Sequence, residues 1–309
     1  MTALKDHEAT VRRFYDEGPG GEAAAAAYVA LMIDEHGDPD WDGHMWWHGD
    51  PQVERAPGGT SYTAKKAMLN RFAQHAALRP GKRVIEFGAG VGGAAVWLAE
   101  NTGATFVGLS NTDTLTQRAR QLAERREQRG KLRPGQVTFQ TVGDHAYRTL
   151  TAWADGSTAG LEDGSADAFL FMESPCHLPH VADLFTAAHR LVKPGGYLWG
   201  QDWLQRQWKD NQTPEQIMRF IDPVARHYRL AQLGTLDSYS QLITDAGFEV
   251  TSRADLFADQ LCHGSAEPPE TWQKFKGRSR TLIRQQWNAM HAARSAGVFT
   301  VGWWAATRP

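Results

Sequence analysis

From about residue 80 onward, short apolar runs of strand length alternate with longer stretches whose apolar residues recur at helical spacing. Such alternation predicts an α/β chain with a mostly parallel sheet covered by helices on both faces. Strands are expected at 84–87, 105–109, 137–142, 166–172 and 197–201, with a closing pair near 248–256 and 299–307. Helices fill the gaps, for example 112–128 and 181–192. The run Lys193-Pro194-Gly195-Gly196 should end a helix and turn tightly into the fifth strand. Residues 1–75 read as a helical cap, the alanine run at 23–27 being a good helix former rather than a linker. Residues 205–235 and 258–290 are charged and amphipathic, interrupt the end of the sheet, and are the expected lids of a 76–309 domain.

Most of the chemical information lies at one strand-to-helix junction. Glu86-Phe87-Gly88-Ala89-Gly90-Val91-Gly92-Gly93 follows the apolar pair Val84-Ile85 and runs into an apolar helix from Ala94. A strand, a glycine turn and a helix in that order offer a ligand bare backbone amides at a helix N-terminus. A Cβ at the bend would forbid positive φ angles and hold the ligand off the main chain. The run satisfies Gly-x-Gly-x-x-Gly, which by itself would suggest a dinucleotide. Glu86, two residues before the first glycine, would repel a pyrophosphate but could hold the amino group of S-adenosylmethionine. That cofactor is therefore expected over Glu86, Gly88, Ala89, Gly90 and Gly92.

Composition narrows the partners. The 309 residues, 41% of them hydrophobic, suffice for a large core. A net charge of −2 gives no basic footprint for nucleic acid or an anionic membrane surface. Cys176 and Cys262 make neither a disulfide framework nor a metal-ligand spacing, and they suit a reducing cytoplasm. No signal-peptide pattern and no bilayer-length apolar run are read, so a cytoplasmic protein without membrane insertion is expected, with a homo-oligomer left open. Twelve tryptophans are the anomaly, clustered at Trp41, Trp46 and Trp47, at Trp203 and Trp208, and at Trp303 and Trp304. Core packing explains any one of them. Those beside His44, His48 and Asp202 are placed to line a cavity.

Ligands of an open α/β sheet bind at the carboxyl ends of the strands, so the residues just past each strand are the candidates. Ser110 and Asn111 follow the second strand and can hydrogen-bond a ribose, with a helix cap at Ser110, Asn111 or Thr112 as the competing reading. Asp144 and His145 follow the third strand and could meet the adenine, a helix cap again competing. The fourth strand ends in Met172-Glu173-Ser174-Pro175, which places Glu173 at the reacting centre unless it is a surface-loop acid.

With these elements on the page, the chain resembles class I S-adenosylmethionine-dependent methyltransferases. The resemblance rests on the Glu86 to Gly93 loop, Gly108-Leu109-Ser110 without a ribose acid, Glu173-Ser174, the Lys193 to Gly196 turn and the closing strand around Phe299 to Ala306. Over roughly residues 40–309 it is most similar to sterol, tocopherol and geranyl diphosphate C-methyltransferases. His44 to Gly49 resembles the histidine, aromatic and glycine segment that precedes the cofactor domain there, and His227-Tyr228 resembles a pair in the substrate lid. Pro175-Cys176-His177 and the tryptophan-rich segments depart from that pattern.

The resemblance implies a Rossmann-like sheet with an antiparallel last strand, N-terminal helices and helical lid insertions. It implies C-methylation of an isoprenoid alkene, foremost a prenyl diphosphate such as geranyl diphosphate, through a carbocation. Glu173 would then be the base, and Tyr228 with Trp203 and Trp208 the aromatic faces. His44, Trp47, His177, His180 and His227 would contact substrate. Arg226 and Arg229, with Arg206 and a magnesium ion, would hold the diphosphate, against the alternative that these arginines are solvated lid charges. O- or N-methylation of a small natural product is the alternative activity, and a binding protein that keeps the fold without transfer is a third.

Overall fold

The computed structural model describes residues 7–16, 41, 43–151, 161–207, 213–259, 262 and 277–309. In chain order its helices and strands are α1 (His7–Asp16), α2 (Pro51–Arg55), α3 (Ser61–His75), β1 (Arg83–Phe87), α4 (Gly93–Thr102), β2 (Thr105–Ser110), α5 (Asp113–Gln128), β3 (Val137–Thr141), β4 (Ala166–Met172), α6 (Val181–Leu191) and β5 (Val192–Gln205). They continue with α7 (Pro214–Tyr228), α8 (Leu236–Asp245), β6 (Glu249–Asp255), α9 (Gly277–Ser295) and β7 (Phe299–Thr307). The strands form one sheet in the order β3-β2-β1-β4-β5-β7-β6. The first five are parallel, and β7 runs antiparallel between β5 and β6.

Both faces of the sheet are covered, which is why β1 and β4 are buried almost throughout. One face packs Val84, Phe106, Leu170 and Trp199 with Phe72, Val96 and Leu122 of α3, α4 and α5. The other packs Ile85, Phe169, Phe171 and Trp304 with Phe185 and Leu191 of α6 and Ile243 of α8. Helix starts follow local chemistry: Thr60, Thr213 and Thr235 each close a reciprocal capping box, and Pro214 opens α7 at a position where its missing N–H costs nothing. The strand order reverses between β1 and β4, so the crevice beyond their carboxyl ends is where a ligand site belongs.

The sheet matches the expected strands, with one correction. Lys193 to Gly196 does not form a separating turn. Helix α6 ends at Leu191 and β5 begins at once at Val192. Pairing with β4 then skips from Val192 to Tyr197, so the four residues are a bulge inside the strand. The reason is the antiparallel neighbour: the Gly195 N–H donates to Arg308 O, and the Arg308 N–H donates to Gly196 O.

Of the expected cap, α1, α2 and α3 are seen, and the alanine run at 23–27 lies outside the described residues. The expected lids contain α7 and α9. Ile217, Ile221 and Val224 of α7 pack with Met290 and Ala293 of α9 and with Phe299 and Val301 of β7 in a third apolar cluster beside the carboxyl edge.

Candidate active site

Backbone geometry shapes the crevice before any side chain does. Gly88 has φ +77°, and a Cβ there would come within 2.2 Å of Ser174 Cβ, so the glycine loop and the Glu173-Ser174 loop touch with no space between them. Ser174 Oγ also donates to Phe87 O at 3.0 Å. Gly90 has φ +55°, and a Cβ there would meet nothing within 4 Å. It lines the cavity, so this is the room a ligand would use. The cavity has an open mouth, and with that included its empty space is about 1630 Å³.

Ser110, Asn111 and Asp144 lie on its wall beside Gly88 and Gly90, together with Leu109, Val142, Gly143 and Tyr147. Thr112, rather than Ser110 or Asn111, occupies the N-cap position of α5, and it makes no side-chain cap bond. Helix α1 closes this end. The Arg12 guanidinium donates to both Asp144 oxygens at 3.2 Å, and Asp16 accepts from the Thr114 amide at 3.1 Å. Glu8 Oε1 accepts from Tyr147 Oη and pairs with His145 Nδ1, both at 3.0 Å. Val11, Phe14 and Tyr15 of α1 line the cavity. Nothing local in the sequence flagged α1, because its role comes from docking across more than a hundred residues.

Four expected cofactor contacts sit elsewhere. Glu86 is behind the loop, not on the cavity wall, and accepts from the Ala95 amide at the start of α4. Burial pushes its carboxyl up to about 8, against that hydrogen bond, and its Oε2 is buried without a partner. Ala89 and Gly92 are likewise off the wall, Gly92 being the N-cap of α4, where a Cβ would strike Phe139 at 2.6 Å. His145 faces Glu8.

At the other end stands Glu173, its side chain 3% exposed and its backbone held at φ +50°, a strained setting for a residue with a Cβ. Its N–H donates to Gln201 O at 2.7 Å. Oε1 accepts the His48 amide at 3.0 Å, pairs with His48 Nδ1 at 2.8 Å and accepts Gln201 Nε2 at 3.2 Å. Oε2 accepts the Trp47 amide at 3.0 Å. Burial pushes this carboxyl up, and the His48 ring with the surrounding donors more than reverses it, holding it below the ordinary glutamate range. It is no surface-loop acid. Sequence reasoning singled out Glu173 and put Trp47 in the substrate site, but it did not make Trp47, His48 or Gln201 partners of the acid; Gln201, at the carboxyl end of β5, falls under the same strand-end rule.

Aromatic groups complete this end. Trp47, Trp203 and Tyr228 line the cavity, with the Trp203 and Tyr228 rings edge to face at 5.0 Å. His44 and His177 also line it. Burial holds His177 down to about 4 and His44 well below the ordinary histidine value, so both are neutral. His177 Nδ1 bonds to Arg229 O, and the His44 ring meets Trp47 edge to face at 5.0 Å. Cys176, Leu282, Ile283 and Gln286 are lining residues not singled out in advance.

His180, Arg226, His227 and Arg229 do not line the cavity. His180 is the N-cap residue of α6, the His227 carbonyl accepts from Gln286, and the Arg229 guanidinium lies over Phe14 and donates to Arg226 O. Arg206 pairs with Asp255 and donates to Phe257 O. Trp208 lies outside the described residues. Among the described residues, no lysine or arginine lines the cavity, no group of three or more His, Cys, Asp or Glu is arranged to hold a metal, and no helix is long and apolar enough to cross a membrane.

Comparison with known proteins gives the same picture. A family profile described as a methyltransferase domain matches residues 61–253. The chain is 26% identical over 187 residues to a sterol 24-C-methyltransferase of Pneumocystis carinii, covering 60% of this chain and 44% of that protein. It is 26% identical over 178 residues to a botryococcene C-methyltransferase of Botryococcus braunii, covering 57% and 42%. The matches thus span somewhat under half the length of these curated relatives. In three dimensions the chain resembles a geranyl diphosphate methyltransferase solved with GPP and sinefungin, with a TM-score of 0.70, 15% identity and 98% of each chain covered. It also resembles geranyl diphosphate C-methyltransferase from Streptomyces coelicolor A3(2), with a TM-score of 0.66, 15% identity and the same coverage. At that identity the likeness speaks for the fold.

Proposed function

This chain belongs to the methyltransferase family, and from that premise we propose that it transfers the methyl group of S-adenosylmethionine to a carbon of an isoprenoid alkene. The observation that carries the reading is the pairing, in one cavity, of an anionic Glu173 with the rings of Trp47, Trp203 and Tyr228. Gly88, Gly90, Ser110, Asn111 and Asp144, under α1, would hold S-adenosylmethionine, which would supply an electrophilic methyl on a sulfonium. An alkene held beside it would use its π electrons for the new C–C bond, the electrons of the broken S–CH₃ bond staying on sulfur, and would be left as a carbocation. Trp203 and Tyr228 offer ring faces to that cation, and the closed aromatic wall keeps nucleophilic water away. Glu173 takes the proton, and the C–H electrons become the new double bond. Oε2 is the accepting atom, because Oε1 carries more hydrogen bonds.

An uncharged isoprenoid suits the described wall best, since neither Arg226 nor Arg229 lines it. A prenyl diphosphate is the second reading, favoured by the likeness to geranyl diphosphate methyltransferases. The test is incubation with methyl-labelled S-adenosylmethionine and a panel of squalene, a side-chain-unsaturated sterol, geranyl diphosphate and farnesyl diphosphate, with products identified by mass spectrometry. A C-methylated alkene is expected. Methyl appearing only on oxygen or nitrogen of polar acceptors would overturn the reading in favour of O- or N-methylation.

A further inference from the structure

Behind Glu173 a line of side chains runs away from the cavity to the lid. His48 presents Nδ1 to Glu173 Oε1 at 2.8 Å, and its other ring nitrogen, Nε2, meets the Arg294 guanidinium of α9. A guanidinium has only donors, so the Nε2 it meets must be the bare acceptor nitrogen and the ring proton must sit on Nδ1. Neither residue is needed to build the fold's sheet. We propose that Arg294 is a positioning residue that fixes His48 as the neutral Nδ1–H tautomer and so keeps Glu173 an uncompensated anion facing the reaction.

The inference rests on the reading of Glu173 as the acid at the reacting centre. Its physical basis is charge balance. A neutral His48 orients Glu173 and lends it one hydrogen bond without cancelling its charge, so the carboxylate is held ionised by its four donors, the Trp47 and His48 amides, His48 Nδ1–H and Gln201 Nε2, rather than by a ring charge. An imidazolium in the same place would pair with the carboxylate and remove both the countercharge to a developing cation and the base for its proton. Arg294 prevents this by occupying Nε2 with a cation, since a proton added there would break that bond and set two positive charges side by side.

Among the described residues around His48, Arg294 is the charged group that meets Nε2. Trp203, Phe257 and Phe299 pack around the ring at centroid distances of 6.0, 6.2 and 6.0 Å and carry no charge. Arg294 itself lies over Phe299. The Cys262 thiol near Arg294 is pushed up to about 12 by burial and stays protonated. Arg206 is paired with Asp255. On the far side of Glu173, the Cys176 thiol is raised by burial, and the buried Asp202 accepts from Tyr239 Oη at 2.9 Å and from the Trp203 amide. Because Arg294 stands on α9, the tautomer of His48 also depends on that helix being in place against Phe299.

Two measurements on the full chain test this separately from the activity. With ¹⁵N-labelled histidine, and His48 assigned from the signals missing in His48→Gln, the wild-type ring should show a protonated Nδ1 and a bare Nε2 near neutral pH. A protonated Nε2 in the wild type overturns the proposal whatever substrate the protein turns out to use. The second readout is the pH profile of turnover. Wild type should be flat from about pH 6 to 8.5, whereas Arg294→Met should lose roughly tenfold at the acid end and recover toward alkaline pH, as an ordinary histidine would. Arg294→Lys, which keeps a cationic donor, should restore much of the flat profile. A loss in Arg294→Met that is equal at every pH would mean that Arg294 only supports the packing. Failure to find any methylated isoprenoid would remove the second readout and the functional reading, and leave the tautomer measurement to decide the proposal.

Discussion

Two buried glutamates lie within the same strand ends and have opposite electrostatics. Glu173 is wrapped in donors and stays ionised; Glu86 has one amide and is driven toward its neutral form. For Glu173→Gln, which keeps size but loses charge and basicity, turnover should fall by roughly two to four orders of magnitude with cofactor affinity unchanged by calorimetry. Near-normal turnover would leave the proposed chemistry without its base. Glu86 has a raised folded pKa, so its contribution to stability is complete below the unfolded value near 4.5 and is lost as pH rises through about 8. Wild type should therefore lose stability relative to Glu86→Gln, by about a few kcal/mol between pH 5 and 9 in denaturant titrations. A pH-independent difference would show that Glu86 does not titrate in that window. Both acids were legible in the sequence as residues, but their roles were only half legible. Position after a strand found Glu173 and position two residues before the glycine loop found Glu86, whereas the direction of each carboxylate depends on contacts from Trp47, His48 and Ala95 that no local pattern encodes.

At the scale of elements, the sheet and its strand ends were readable because apolar periodicity is a local property. Closure of the site was not. Helix α1 has ten residues, too few to be stable alone in water, and it holds its place through Glu8, Arg12 and Asp16. Replacing all three by alanine should weaken S-adenosylmethionine binding by about tenfold, or 1.4 kcal/mol, with the main unfolding transition little changed. Unchanged affinity would show that α1 is not part of the cofactor site. Helix α7 ends at Tyr228 against Trp203, and this pair tests the cation. Tyr228→Phe keeps the ring face and should retain much of the activity, whereas Tyr228→Leu should lose about tenfold in turnover. Equal rates for the two variants would count against a carbocation, and Phe as poor as Leu would point to a role for the hydroxyl. The arginines that follow and precede Tyr228 show why the lid misled: a helix shows its charges in sequence but not which side they leave on.

Taken as a whole, the molecule separates chemistry from anchorage across the sheet. All the groups proposed to meet ligands lie at the carboxyl ends, while the amino edge is tied by Asp167, which binds Lys82, Lys193 and the Arg83 amide. Burial pushes the Asp167 carboxyl up, and the two lysines with the Arg83 amide hold it below the ordinary aspartate value instead. Its stabilising effect is thus present above its unfolded value near 3.8 and lost as pH falls through the lower folded value. Asp167→Asn should destabilise by about 1–3 kcal/mol at neutral pH, converge with wild type in strong acid, and leave turnover untouched. A drop in turnover at constant stability would break the separation. The contact between Gly88 and Ser174 has a further consequence, for how such a protein can change. A 2.2 Å clearance for any added Cβ leaves the cofactor loop and the acid loop no independent travel, so the span between them is inherited as a unit. New substrates must then be accommodated by recutting the opposite wall, at Leu282, Ile283 and Gln286, where a helix rather than crossed backbones sets the shape. In directed evolution, diversity at those three positions should survive and alter product profiles, and diversity at 88 and 174 should be purged.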